Sequence, residues 1–597
     1  MTWLAPLVVA VPLLSGALVA GGDHVAPRAL QNAIGVCGSA ATFVLAVLLF
    51  RAAERHEVLT WFGGWRPRSG IAVGIDFAVD PLAAGMCALI AGLSCAALVY
   101  SITYMPEAAK LYDTLLLVAA GSMCGFVLSG DLFNLFVWLE LTAVAGYALT
   151  GFEVKQLGPL QGALNFAIVN TLGGYFVLMG IALVYARTGA LNLAQIGSAL
   201  STRRPDGLVI VAFTLVVCGF LCKAAVVPFH FWLADAYAVA PAPVCMVFAG
   251  VMTDIGLVGV ARVYATAFSG AFGLHAHAVG DLLLWLGIVS ALVGGVMSLV
   301  QRHLKRMLAY SVICHIGIML AGIGLLSSKA LGGVAALLLA HGLATGALFL
   351  VAGMLLASLR SIDELRLRGR ARARPWLAAL WFVGTIALIG PPYVGAYLGH
   401  AMIDDAAAEL GRHWVQPLLW LAGALSGAAL LRAGARIFLG FGRATAEFLS
   451  PDVREDPPDR GANLPLLGGT TAVLAIAGLV VSVVPGLGPR VDEGAARFLD
   501  RRSYAEHVLH GGPFGFKHDL PFAIEHTSLE SVIYAVVATL LALAIAAVGL
   551  RPPRSLSIVE PALAGLKRLH SGVVGDYVVW LTVGTAVVGG VWAVTLR

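Results

Sequence analysis

KAAVVPFHFWLADAYAVAPAPV, residues 223–244, opens on a lysine at the end of an apolar run and meets Pro228 five residues later. Proline removes a backbone donor and clashes with the preceding turn, so a helix entering this stretch breaks near mid-membrane and exposes polar backbone there. Such backbone is tolerated only where it lines a wet cavity or is covered by protein. IGPPYVGAYLGHAMI, residues 389–403, carries the same defect. The two stretches are the seventh and twelfth of about 16 apolar runs of spanning length. Interrupted helices five spans apart point to two inverted five-helix repeats, spans 4–8 and 9–13, a common plan for ion-coupled carriers. The alternative is that the prolines merely bend packed helices.

The runs lie near 3–21, 30–50, 77–101, 111–129, 131–152, 160–186, 207–227, 241–265, 277–300, 305–326, 330–357, 375–402, 414–440, 464–487, 528–550 and 573–595. The 597 residues are 59% hydrophobic and only 12% charged, with a mean hydropathy of +0.89, so the chain is expected to be an all-α polytopic membrane protein. The expected organisation is three helices in 1–110, a first repeat in 111–268, a second in 277–440, and a C-terminal extension over 441–597. Within the extension, 488–527 reads as a polar external loop with room for a surface helix. The first run has neither a basic start nor a small-residue cleavage site, and is read as a retained helix.

Lys and Arg gather at 302–306, 360–374, 432–460 and 551–568. All four groups fall on one side, about 21 basic residues against roughly 15, which makes that side cytoplasmic and puts both termini outside. The net charge of +5 is a matter of topology and gives no reason to expect nucleic acid. A bacterial cytoplasmic membrane is the expected location. The eight cysteines form no CxxC or metal pattern and are read as apolar packing. No Rossmann fingerprint, Walker loop, haem site or iron–sulfur set appears, so no cofactor is expected, and any redox chemistry belongs to partner subunits.

Two opposite charges sit inside apolar runs, Glu140 and Lys223. Each costs about 2.5–3.5 kcal/mol at a helix centre unless paired or wetted. A purely structural buried pair often gains nothing over apolar packing, so they read first as parts of an ion path. Desolvation disfavours the charged lysine and a carboxylate favours it, so the distance between the two sets whether Lys223 holds its proton. Histidine titrates at about 6.5 when unperturbed, which suits relay duty at His230, His315, His341 and His400; a hydrogen-bonded packing role is the alternative for each. Asp254 reads as a second counter-ion for Lys223, or with Thr253 as oxygen ligands for sodium, although few further oxygen donors lie nearby. Asp76 and Asp80 lie at the start of span three and Asp131 opens span five, and they are read as capping or orienting those spans.

Several stretches resemble a known family: DLFNLFVWLELTAVAGYAL (131–149), KAAVVPFHFWLADAY (223–237), APVCMVFAGVMTDIGLVGVAR (242–262), HLKRMLAYSVICHIGIM (303–319) and HGLATGALFLVAG (341–353). They look like the antiporter-like proton-channel subunits shared by respiratory complex I, the Mrp-type Na+/H+ antiporters and the group 4 membrane-bound hydrogenases. The likeness extends over about residues 76–440. TGALNLAQI (188–196) resembles the Mrp subunits, and LKRLHSGVVGDYVVWL (566–581) resembles tails of the Mrp and hydrogenase branches.

The resemblance implies a 14-helix core with two half-channels joined by a mid-membrane row of charge, followed here by two C-terminal helices. It matches Glu140 to the fifth-helix glutamate, Lys223 to its partner lysine, His230 and Asp235 to the polar positions of the broken helix, and Lys305, His315 and His341 to basic positions of the tenth and eleventh helices. The chain departs from the pattern at Asp254, Asn165, Thr345 and Gly399, where many relatives carry lysine or, at the last, lysine or glutamate; His400 follows Gly399. The expected function is proton translocation, or Na+/H+ exchange, as one membrane subunit among others embedded in lipid. The alternatives are a component of an NADH–quinone oxidoreductase whose redox chemistry lies elsewhere, and a scaffold with a vestigial second half-channel.

Overall fold

The computed structural model describes residues 2–22, 26–56, 58–105, 109–152, 157–201, 205–442, 464–511, 527–551, 565 and 570–596. Helices dominate: α1 (Leu4–Gly21), α2 (Arg28–Arg55), α3 (Pro81–Tyr104), α4 (Ala109–Leu128), α5 (Leu132–Thr150) and α6 (Leu157–Thr188) come first. A two-stranded antiparallel ribbon, β1 (Val58–Trp61) with β2 (Asp76–Val79), separates α2 from α3. The surface helix α7 (Leu193–Ser201) precedes α8 (Gly207–Lys223) and α9 (Phe231–Val239). Then follow α10 (Ala242–Phe268), α11 (Ala276–Val300), α12 (Leu304–Gly324) and α13 (Ser328–Leu359). The broken pair α14 (Pro375–Ile389) and α15 (Tyr397–Glu409) leads to α16 (Val415–Leu439) and α17 (Pro465–Val483). The chain continues through α18 (Leu487–Leu499), α19 (Arg501–His510), α20 (Leu529–Leu550) and α21 (Val574–Thr595).

Among the described residues fourteen helices are long and apolar enough to cross a membrane, and two shorter apolar ones are α8 and α14. These two are the first halves of the interrupted crossings, so fourteen and two make the sixteen spans expected. Successive crossings bring the turns near 302, 360–374 and 440 to one arginine-rich face, where Glu364 ties them together. The α4–α10 unit starts on that face and the α11–α16 unit on the opposite one, the inverted arrangement. Both units end alike, with a π-helical turn at Tyr264–Phe268 in α10 and at Ala435–Leu439 in α16.

Both breaks fall where the prolines required. At the first, Ala225 adopts a positive φ of 54°, the Val227 amide donates to Ser290 Oγ at 3.0 Å, and the Trp232 indole donates to the Cys222 carbonyl at 3.1 Å. At the second, Gly395 N–H donates to the Leu479 carbonyl at 2.8 Å. Ser482 Oγ accepts from Leu398 N–H at 2.9 Å and donates to the Gly395 carbonyl at 2.7 Å. Backbone groups freed inside a membrane are thus paired rather than left to lipid.

The innermost helices are α10 and α12, buried along nearly their whole length, while α20 and α21 lie at the periphery. Small residues set the close crossings: Gly287 of α11 and Gly317 of α12 each leave no room for a Cβ against the facing backbone. The 488–527 stretch, expected to be an external loop with room for a surface helix, is helical in its described part. Its first part forms α18 and α19, which lie on the face opposite the arginines, with Arg497 bonding the carbonyl of Glu54 at 3.1 Å and Arg501 that of Gly197 at 3.3 Å. Lys517 lies outside the described residues.

Candidate functional site

Lys223 is the last residue of α8, and the break delivers its ammonium into the protein interior, 3% exposed. Its Nζ stands 5.3 Å from the centroid of the Phe166 ring, and that ring stacks on Trp232 at 4.3 Å. Half-buried Glu140 projects from α5 against Gly174 of α6, whose missing side chain leaves the space its carboxylate occupies. The two charges interact electrostatically, yet neither Lys223 Nζ nor Glu140 Oε1 has a protein hydrogen-bond partner. They form a separated pair instead of a closed ion pair.

Further inward, Asp254 in α10 is fully buried, and neither carboxylate oxygen has a protein partner. Thr253 Oγ1 is turned to the Phe248 carbonyl at 3.2 Å. On α13, both nitrogens of His341 and the hydroxyl of Thr345 are buried without a partner. Among the described residues no group of three or more His, Cys, Asp or Glu side chains forms a metal-ligand cluster. Native interiors leave few polar groups unpaired. Here Lys223 Nζ, Glu140 Oε1, both Asp254 carboxylate oxygens, both His341 nitrogens and the Thr345 hydroxyl are all buried without a protein partner.

The second repeat contributes a row of rings. His341 stacks on His315 at 5.0 Å, His315 meets His400 edge-on at 6.5 Å, and His400 stacks on Trp420 at 4.7 Å. His315 Nδ1 lies 2.8 Å from the Ser311 carbonyl, and its Nε2 is buried without a partner. The Ser311 hydroxyl accepts from Ser426 at 2.8 Å and ties α12 to α16. Lys305 stands apart from the row. It lies at the arginine-rich end of α12, about 15 Å along the helix from His315, and donates to the Ala240 carbonyl between α9 and α10.

Asp235 on α9 is the hub of a second polar group. It accepts from Asn165 Nδ2 at 3.1 Å, Tyr577 Oη at 2.7 Å and His570 Nε2 at 3.0 Å, with Arg306 at 3.5 Å. Tyr310 Oη lies 3.2 Å from His570 Nδ1. Tyr577 also stacks on Phe231 at 5.4 Å, so α21 lies over the first break.

The family model described as NADH:quinone oxidoreductase/Mrp antiporter, TM, matches residues 129–426. A second, described as NADH-Ubiquinone oxidoreductase (complex I), chain 5 N-terminus, matches 65–112. NADH-quinone oxidoreductase subunit N of Desulforudis audaxviator (strain MP104C) is 32% identical over 377 residues, covering 62% of this chain and 72% of the relative. The chain belongs to the antiporter-like membrane subunit family.

Other members give the same answer. A Na(+)/H(+) antiporter subunit from Bacillus subtilis (strain 168) is 27% identical over 492 residues, 80% of this chain and 94% of that one. A chain of the archaeal membrane-bound sulfane sulfur reductase superposes with a TM-score of 0.73 at 23% identity, covering 85% of this chain and 99% of its own. One from the Mrp complex of Dietzia sp. DQ12-45-1b gives 0.72 at 24%, covering 85% and 100%. These antiporter-like neighbours are parts of multisubunit membrane assemblies, and the similarity carries the fold.

Within this antiporter-like subunit, Glu140 and Lys223 face each other, and His315, His341 and His400 meet. His230, buried beside the break with its ring 4.1 Å from Phe231, has an unpaired Nδ1. Asp80 and Asp131 are caps as expected, bonding the Ala83 and Asn134 amides. Asp76 is not a cap: it lies in β2, buried, and accepts from Asn192 at 2.9 Å. The strand that carries it precedes the helix by too many residues to reach its first amides. Three participants escaped the sequence reading. Tyr577 and His570 lie far from Asp235 in the chain, in a stretch that pointed only to a family resemblance, and Asp404, which accepts from the Trp420 indole, read as an ordinary polar end of a helix.

Proposed function

We propose that this chain is a proton-conducting membrane subunit of a multisubunit respiratory or antiporter complex, with Glu140 and Lys223 as its switch. The separated Glu140–Lys223 pair carries this reading. When the carboxylate approaches, Lys223 holds its proton; when it withdraws, the desolvated ammonium releases the proton to neighbouring groups. Asp254, buried with both carboxylate oxygens unpartnered, is the acceptor proposed to follow, and His341 and His315 continue the path, with His230 beside the break. The partners are other membrane subunits, and the transported ion is H+, with Na+ exchange as the variant suggested by the names of the Mrp relatives. Redox chemistry, where the complex has any, belongs to those partners.

The test is proton flux in vesicles containing the intact complex, energised in its native way, with Glu140→Gln and Lys223→Ala at matched assembly. Both variants are expected to lose flux by about tenfold or more, the scale of a positioned proton-transfer group. Wild-type flux in both, with normal assembly, would falsify the conduction reading and leave a scaffold role.

A further inference from the structure

At position 399 the helices α13 and α15 touch backbone to backbone: a Cβ there would stand 2.7 Å from the Gly333 carbonyl oxygen and 2.7 Å from the Leu337 amide nitrogen. No side chain fits without separating the helices. The facing residue is equally restricted, since a Cβ on Gly333 would meet the Gly399 carbonyl oxygen at 2.8 Å. An ionisable group on this part of α15 must therefore sit elsewhere on the helix.

Asp404 is that group. It is 1% exposed, one helical turn after His400, and on the same face of α15. Both residues pack on Trp420, His400 by ring stacking and Asp404 by accepting the indole N–H. Gln416 fixes the turn by donating to the Asp404 carbonyl at 3.0 Å. None of the ion pairs among the described residues includes Asp404. An ionised carboxylate buried in this way is costly unless a positive partner arrives, and the imidazolium of His400 is the neighbour able to become one.

The next residue leads to the membrane face. Asp405 lies 3.6 Å from Lys329 and accepts from Ser531 at 3.0 Å, and Lys329 also reaches Glu409 at 2.9 Å. Lys329 and Glu409 sit at the ends of their helices, Glu409 being largely exposed. From His341 through His315 to His400 the rings are in contact, Trp420 joins His400 to Asp404, and the next residue, Asp405, belongs to the cluster with Lys329 and Glu409.

We propose that Asp404 is the terminal proton acceptor of the second half-channel, exchanging protons between His400 and the Lys329, Asp405 and Glu409 cluster at the face opposite the arginines. The proposal rests on the proton-conducting reading above. In one transfer the His400 N–H bond breaks and an Asp404 O–H bond forms; in the next that O–H bond breaks and the proton passes to the cluster or its water. Reverse flux uses the same steps in the opposite order. Trp420 is a positioning residue, because its N–H holds the carboxylate on the His400 side.

The experiment compares Asp404→Asn, Asp404→Glu, Trp420→Phe and Lys223→Ala in the intact complex, by flux in energised vesicles at matched assembly. Asp404→Asn is expected to reduce flux by about tenfold or more, and Asp404→Glu, which restores a carboxylate, to recover a large part of it. A group needed only for packing would not distinguish those two variants by charge. Wild-type flux in Asp404→Asn, where Lys223→Ala has lost it, overturns the proposal and leaves the conduction reading standing. Wild-type flux in Lys223→Ala as well overturns both. Should Asp404→Asn fail to assemble, Trp420→Phe decides, since it keeps a ring against His400 and removes only the donor: reduced flux supports the proposal, and wild-type flux overturns it.

Discussion

Asp76 is fully buried in β2 beside Asp131, outside the membrane-spanning helices. Burial first, and then the Asp131 charge, push its carboxyl up to about 8 from 3.8 in a free chain, against a lowering hydrogen bond from Asn192. Between those two values the native protein holds a proton that the unfolded chain has released. Stability therefore falls as pH rises through that window. Asp76→Asn keeps an acceptor for Asn192 and removes the ionisation, so its melting midpoint should exceed that of the wild type by several degrees at pH 9 and match it near pH 4. Equal midpoints at both values would contradict the assignment. A second prediction concerns Gly174, where a methyl group must displace the Glu140 carboxylate. The obstruction is the far end of a flexible side chain, so Gly174→Ala should assemble normally and lower flux several-fold, seen by comparing complex yield with transport. The charges themselves were legible, because a Glu or Lys in an apolar run has no inexpensive explanation. Asp404 was not, since an acid near a helix end is common and only the packing shows it to be enclosed.

Each interrupted helix is completed by an element from the C-terminal extension. The second break shares hydrogen bonds with α17 through Leu479 and Ser482. The first lies under α21, where Gly584 seats against Pro228 and Phe229 and Tyr577 bonds Asp235 at 2.7 Å. Tyr577→Phe deletes a hydrogen bond to a charged group, worth roughly 1.5–3 kcal/mol. Faster hydrogen exchange in the first turns of α21, with the other helices unchanged, is the expected result. The breaks were readable from Pro228 and from Pro391–Pro392, because proline acts on its own helix. Their covers were not, because the contact between Asp235 and Tyr577 spans 342 positions and no local pattern announces it. A surface helix was foreseen in the stretch that holds α18, GPRVDEGAARFL after Leu487, but its bounds and the second helix beside it were not.

At the scale of the whole molecule, Glu364 binds the arginine-rich face together. It is 1% exposed and pairs with Arg432 at 3.2 Å and with Arg436. Arg432 also donates to the Leu299 and Gln301 carbonyls, and Arg436 to that of Gly549 at 2.8 Å. One carboxylate thereby links the turns after α11, α13, α16 and α20. Glu364→Ala leaves two enclosed guanidinium groups without their counter-charge and should cost about 3–5 kcal/mol, measurable as a lower melting temperature of the purified protein. The number and order of crossings were readable because hydrophobic length is a local property; this clamp was not, because it depends on which turns meet. The seal over the first break has a further consequence for how the protein is made. Residues 223–237 leave the ribosome long before Tyr577 exists, so every nascent chain passes through a stage in which Asp235 lacks that ligand. Insertion of α21 is then also the step that completes the hydrogen bonding of Asp235 and covers the first break.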